Sequence, residues 1–492
     1  MKTRLLFLAS FLLSSMLFSQ SDKEITNHIV TKDKIKGHIY FLADDVLKGR
    51  DTGTPELKIA ASYLANQFRA YGVKPNPKTG TYYQAVKLKR SKSAKGSSIK
   101  LRQRKLSEFA VVNGTNFNGD VKAVYLGHGL EDDYKNTNVK GKFIIVLGGS
   151  AKSDNIRTSF MMQRRKARLA QKNGALGIIE VIKSSDVMWK RVEHNFNSGS
   201  GLSIVDAKAK AKSSLVHVWI RDKKNAIANN IKNKKSVALS LNIKAPVDEI
   251  IISNNVIGVV EGTDPKLKDE YIIYSGHYDH VGIGAADRNG DTIYNGARDN
   301  AVGTTTVLSI AESLAKHPTK RSALFILFTG EEKGLLGSRY YVDNPVIPLN
   351  KMVYCFNSDN GGYNNTTIAT IIGLPRTTAA HHIKNAATAF GITAVDDPAP
   401  EQGLFDRSDN VSFARKGIPA PTFSLGFTAF DETITKYYHR PSDEAHNLDY
   451  DYLVKFFKAY VLAGRSIAND PVTPTWTKGD KYESAAKALY KK

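Results

Sequence analysis

Residues able to do chemistry gather in four clusters between positions 271 and 362: GHYDH at 276–280, GARDNAVG at 296–303, TGEEKG at 329–334 and NSDNGG at 357–362. A fifth, YYHRPSDEA, follows at 437–445. Each of the four stands where an apolar run ends or just before a helical stretch, so side chains from separate elements can converge on one crevice. Rigidly held imidazoles and carboxylates are what a divalent cation requires, with one position left open to water. The pattern predicts metal-dependent hydrolysis.

Taken singly, each residue has a second reading. His277 follows the strand-like YIIYSG and would present its imidazole at the crevice. Asp279, two residues on, shares its side of an extended chain and suits a partner that fixes the imidazole tautomer. Asp299 precedes a helical stretch beginning near Ala301, where a carboxylate serves equally well as a helix cap. Glu331 and Glu332 follow the wholly apolar ALFILF, and at a buried sheet end adjacent carboxylates repel unless a cation compensates. Neighbours in extended chain point to opposite sides, so one can bind a cation while the other faces water. Asp359 closes MVYCFNSD in the same way, or acts as a turn residue before Gly361. His439 and Asp443 lie in a polar loop; His446 and the pair His381 and His382 compete as ligands, and spacing does not separate them.

The elements that must position these groups follow from periodicity. Apolar runs in NVIGVVEG, EYIIYSGHYDH, SALFILFTGEE and MVYCFNSD alternate with helical stretches at 301–316 and 335–342. That order predicts an α/β fold: a mostly parallel sheet between two helical layers. Further helices are expected at 35–47, 57–71, 379–390 and 450–467. Between 101 and 244 the pattern changes to short β runs with one basic helix at 161–173, and no carboxylate-histidine cluster is visible there. The expected division is a signal peptide over 1–19, an N-terminal segment over 20–100, a β-rich insert over 101–244, the catalytic domain over 245–470 and a tail over 471–492.

Composition excludes several classes. The 492 residues are 41% hydrophobic, enough for more than one core. Lys2 and Arg4 ahead of the apolar run from Leu5 to Phe18 have the layout of a cleaved export signal, and that run is short for the ~20 residues of a membrane span. No stable membrane insertion is expected. The single cysteine, Cys355, sits in an apolar run and reads as a small buried hydrophobe. The net charge of +23 is scattered without a nucleic-acid motif, so no nucleic acid is expected as partner; the densest basic run, Lys87 to Lys105, reads as a solvated loop.

The clusters GHYDH, GARDNAVG, FTGEEKGLLGS, NSDNGG and YYHRPSDEA resemble, in order and spacing, the motif regions of the dizinc exopeptidase family that includes bacterial leucyl aminopeptidases, aminopeptidase Y, glutamate carboxypeptidase and the transferrin receptor. VKGKFIIVLGG with RRKARLAQKNGALGIIEVI resembles an inserted protease-associated domain, which would wall the substrate cleft. The resemblance implies two Zn2+ ions: one held by His277 and Asp359, the other by Glu332 and His439, with Asp299 bridging. It implies Glu331 as general base, Asp279 as the partner of His277 and Asp443 as a support near His439. Ser408-Asp409-Asn410 departs from the family's Ser-Asp-His on the substrate side.

The implied function is an exported zinc aminopeptidase, periplasmic or extracellular, that hydrolyses peptide substrates with a metal-activated water. The alternatives are a carboxypeptidase, which would need arginines around the substrate carboxylate, and a receptor-like relative without catalysis. Preferred terminal residue and oligomeric state do not follow from the sequence.

Overall fold

In the computed structural model, which describes residues 20–197, 201–205 and 215–491, the chain divides into two units, 20–86 with 252–491 and 87–251. The expected signal peptide, 1–19, lies outside the described residues. The strands that position the clusters are β1 (Val247–Val260), β2 (Tyr271–His277), β3 (Ser322–Phe328), β4 (Met352–Ser358), β5 (Ile368–Ile372), β6 (Thr393–Val395) and β7 (Thr422–Leu425). Their spatial order is β6-β5-β7-β4-β2-β3-β1. β7, β4, β2 and β3 form a parallel centre, while β1 joins β3 and β5 joins β7 antiparallel.

The central strands read as unbroken apolar runs because both faces are buried. Ile272 and Tyr274 of β2 with Ala323, Phe325 and Leu327 of β3 enter one core; Ile273 with Leu324, Ile326 and Phe328 enter the other. Helices α1 (Gly303–Lys316) and α3 (Tyr450–Asn469), with the N-terminal helix Pro55–Tyr71, cover the first face, and α2 (Leu336–Asp343) covers the second. The chain leaves β2 through α1 to β3 on one flank, then passes through α2 to β4 on the other. Connections that diverge in this way open a crevice above the carboxyl end of β2.

The expected helix over 35–47 is shorter than its periodicity suggests. Thr31 caps a helix at Lys32–Leu42, and Asp44 then starts a tight turn over Asp45–Arg50 with Lys48, Gly49 and Arg50 in left-handed backbone. A Cβ at Gly49 would collide with the carbonyl of Tyr294, so glycine is required where this turn presses on the loop ahead of Asp299.

His38, on the first of these helices, sits between the hydroxyls of Tyr63 and Tyr71 at 2.7 and 2.9 Å. Burial lowers its pKa from 6.5 to about 4. The unfolded chain therefore takes up a proton in this window that the folded chain refuses, so the contribution is complete above pH 6.5 and is lost as pH falls toward 4. At ~1.4 kcal/mol per pKa unit, we expect about 3 kcal/mol of stability to disappear across that window. Urea melts at pH 7 and pH 4.5 should show a smaller loss for His38→Gln than for the wild type.

The second unit holds an eight-stranded sheet. Strands Phe117–Tyr125, Phe143–Leu147, Gly177–Ile182 and Val216–Arg221 run parallel, with helix Ile156–Lys172 as a crossover. The unit extends beyond the expected 101–244 at both ends. Two expectations fail here. Lys87 and Lys89 are not in a solvated loop; they alternate with buried Val86 and Leu88 in strand Tyr83–Lys92, as a one-sided strand requires. A carboxylate-histidine cluster does exist: buried Glu180 contacts Lys166 at 2.9 Å, His217 at 2.7 Å and Trp219 at 3.2 Å. Its residues lie far apart in the chain, so no local motif revealed it. No helix among the described residues is long and apolar enough to cross a membrane.

Candidate metal centre

His277 is the last residue of β2, Asp359 follows β4 directly, Glu331 and Glu332 follow β3, and Asp299 lies in the turn before α1. His439 comes from the loop after β7, in left-handed backbone with φ 53°. All of them but Glu331, together with His280, form two groups that share Asp299. His277 Nε2 is 3.3 Å from Asp299 Oδ1 and 3.3 Å from Asp359 Oδ1. Asp299 Oδ2 is 3.0 Å from His439 Nε2, which is 3.2 Å from Glu332 Oε1. That oxygen is in turn 2.9 Å from His280 Nδ1.

The groups fit a cation better than they fit one another. His277 Nδ1 lies 3.1 Å from the carbonyl of Asp279, an acceptor, so Nδ1 carries the hydrogen, and in the neutral ring Nε2 turns a lone pair toward two carboxylate oxygens. In a buried site that arrangement is repulsive unless a cation intervenes. Glu332 Oε1 and both ring nitrogens of His280 are buried without a hydrogen bond. The buried Arg50 guanidinium makes no hydrogen bond to these acids; it donates to the carbonyls of Leu42, Tyr278, Asn295 and Gly296. Imidazole and carboxylate donors together suit zinc.

With no cation present, protons must compensate. Burial opposes charging His277, yet Asp359 and Glu331 outweigh it and hold its pKa well above the usual imidazole range. His439 is likewise raised to about 10, its burial overcome by Glu332 and Asp299. Burial pushes Glu331 well above the carboxylate range, and Asp359 and Glu332 add repulsion. Glu332 falls to about 2 despite burial and Asp299, through His439 and His280. Adjacent glutamates with opposite proton affinities are the pattern of a proton acceptor beside a ligand.

Several supporting roles differ from expectation. Asp279 holds His277 through its backbone carbonyl; its carboxylate, 3.8 Å from Nδ1, accepts from Thr52 Oγ1 and from the Glu331 amide. The acid therefore steadies the Glu331 segment as well as the histidine. Asp443 does not support His439: it accepts from the backbone N–H groups of Arg298 and Asp299 and from the Arg298 guanidinium. Asp299 is no helix cap, since its carboxylate faces the two histidines. His446 is exposed, and His381 and His382 belong to a separate group with Asp470. Asn410 donates to the carbonyls of Phe405 and Ala420, so the departure from Ser-Asp-His braces its own loop. Cys355 is fully buried, and burial raises its thiol to about 12, far from a nucleophile.

His280 was missed from sequence. The second histidine of GHYDH was its only signal.

Asp299, Glu331, Glu332, Asp359 and His439 open onto a cavity of about 570 Å3. Residues 255–463 match the Peptidase family M28 profile. Over that stretch the chain is similar to the M28 peptidases. The chain is similar to aminopeptidase YwaD of Bacillus subtilis, 29% identical over 199 residues, or 40% of each chain. The match therefore spans less than half of that relative. A probable zinc metalloprotease of Pyrenophora tritici-repentis is 26% identical over 308 residues, covering 52% of this chain and 68% of the relative. Among solved structures, an aminopeptidase from Aneurinibacillus sp. strain AM-1 superposes with a TM-score of 0.61 at 21% identity, covering 92% of this chain and 98% of its own. The zinc aminopeptidase of Bacillus subtilis gives 0.53 at 19%, covering 92% and 97%. Both share the α/β fold of this chain.

Proposed function

We propose that the protein is a two-zinc exopeptidase that acts as an aminopeptidase on peptides. The observation that carries the reading is the divided carboxylate of Asp299, one oxygen 3.3 Å from His277 and the other 3.0 Å from His439. His277, Asp299 and Asp359 would hold one ion, and Asp299, Glu332 and His439 the other. Bound there, the ions supply Lewis acidity and a water acidified toward neutral pH. Glu331, whose proton affinity is raised and whose amide is held by Asp279, accepts a proton from the attacking water and delivers it to the leaving amine. The cavity's apolar residues Ile372, Phe427, Phe430 and Ile434 suit a hydrophobic terminal side chain. The names of the Bacillus and Aneurinibacillus relatives support the same activity. The basic-then-apolar layout of residues 2–18 supports export.

One observation favours the carboxypeptidase alternative. Arg339, Arg407 and Arg415 line the same cavity, are exposed, and form no salt bridge with a described residue. Unpaired guanidinium groups would receive a carboxylate. A panel of dipeptides blocked at either end separates the readings. Cleavage that requires a free amine and tolerates a blocked carboxyl supports the aminopeptidase; the reverse, with ~10-fold or greater loss of kcat/KM in Arg407→Ala, supports the carboxypeptidase.

A further inference from the structure

His280 stands apart from the rest of the centre. Its ring is fully buried, its Nδ1 is 2.9 Å from Glu332 Oε1, and neither ring nitrogen makes a hydrogen bond. Buried imidazoles normally satisfy their nitrogens. Glu332 Oε1 lacks a hydrogen bond as well, so the short approach is not an ordinary donor-acceptor pair. The ring has not drifted there. The His280 amide donates to the Arg50 carbonyl at 3.1 Å, and a Cβ at Gly296 would lie 2.5 Å from the ring's Cγ, so the glycine clears the ring's berth. The His439 ring meets it edge-on at 5.4 Å. Ligand atoms of His280, Asp299, Glu332 and His439 all lie within 4.8 Å of one another; the other group has only His277, Asp299 and Asp359.

We propose that His280 is a fourth protein ligand at the Glu332–His439 cluster, which makes the two halves of the centre chemically unequal. This rests on the two-zinc reading above. Two imidazoles and two carboxylates complete a tetrahedral set, the closed arrangement of structural zinc, whereas three protein ligands leave a position for water. The four-residue cluster binds its ion first and more tightly. Water and substrate exchange at the His277–Asp359 cluster, whose Asp359 lines the cavity.

Zinc-edge X-ray absorption on the full chain, loaded with one and then two equivalents of Zn2+, counts imidazoles directly. Two imidazoles on the first zinc, and three shared by the pair at two equivalents, are expected. In His280→Phe the first zinc should show one, and competition against a chelating dye should weaken it more than ~100-fold, past the range of an outer hydrogen-bond partner. One imidazole per zinc at both loadings in the wild type would overturn the role of His280 and leave the two-zinc function standing. Failure to bind zinc at either loading would overturn both.

Discussion

Glu331→Gln should lower peptide turnover by ~10²-fold or more, the scale of general acid–base catalysis, while both zinc ions remain bound. The amide keeps the shape of the side chain but cannot take a proton. Of the two glutamates, Glu331 is the one suited to proton transfer, because burial and repulsion from Asp359 and Glu332 raise its proton affinity. Glu332 has the opposite environment, with His280 and His439 at 2.9 and 3.2 Å from one oxygen. Glu332→Gln should therefore weaken zinc occupancy, because a neutral amide is a poor ligand. Zinc content and initial rates for the two variants distinguish these roles; a fully active, fully loaded Glu331→Gln enzyme would remove the proton-shuttle mechanism.

Asp299→Ala should have the largest effect on metal binding, since both groups lose an oxygen at once. The wild-type carboxylate is pinned for this double contact by the bonds that Asp443 accepts from the Arg298 and Asp299 backbone N–H groups. We expect each zinc affinity to fall by at least ~10²-fold, with activity lost in parallel. Asp443→Asn, which leaves Asp299 in place but loosens its support, should lie between Asp299→Ala and the wild type. Competitive zinc titration measures all three; retention of two tight ions by Asp299→Ala would show that the carboxylate does not bridge.

The parallel centre of the sheet was legible because strands buried on both faces write themselves as continuous apolar runs, as in ALFILF. Side chains at the ends of such strands have one place to go, which is why His277 and Asp359 stood out as candidates, each with a structural alternative left open. Beyond the strand ends, sequence reasoning lost its ruler. β2 stops at His277, so the alternation that assigned Asp279 and ignored His280 no longer held, and the chain bends to turn His280 inward. The closeness of Asp443 to His439 in sequence misled in the same way: His439 takes a left-handed conformation and Asp443 turns to Arg298. The arginines of the cavity come from separate segments, and no local pattern brings 339, 407 and 415 together. Glu180 and His217 meet only because their strands pair.

A bridging Asp299 would require two cations per chain. Equilibrium dialysis of the metal-free full chain against Zn2+, with zinc atoms counted per chain at saturation, tests this role. A plateau at two is expected, with peptidase activity appearing as the second ion enters. Saturation at a single zinc with full activity would contradict it.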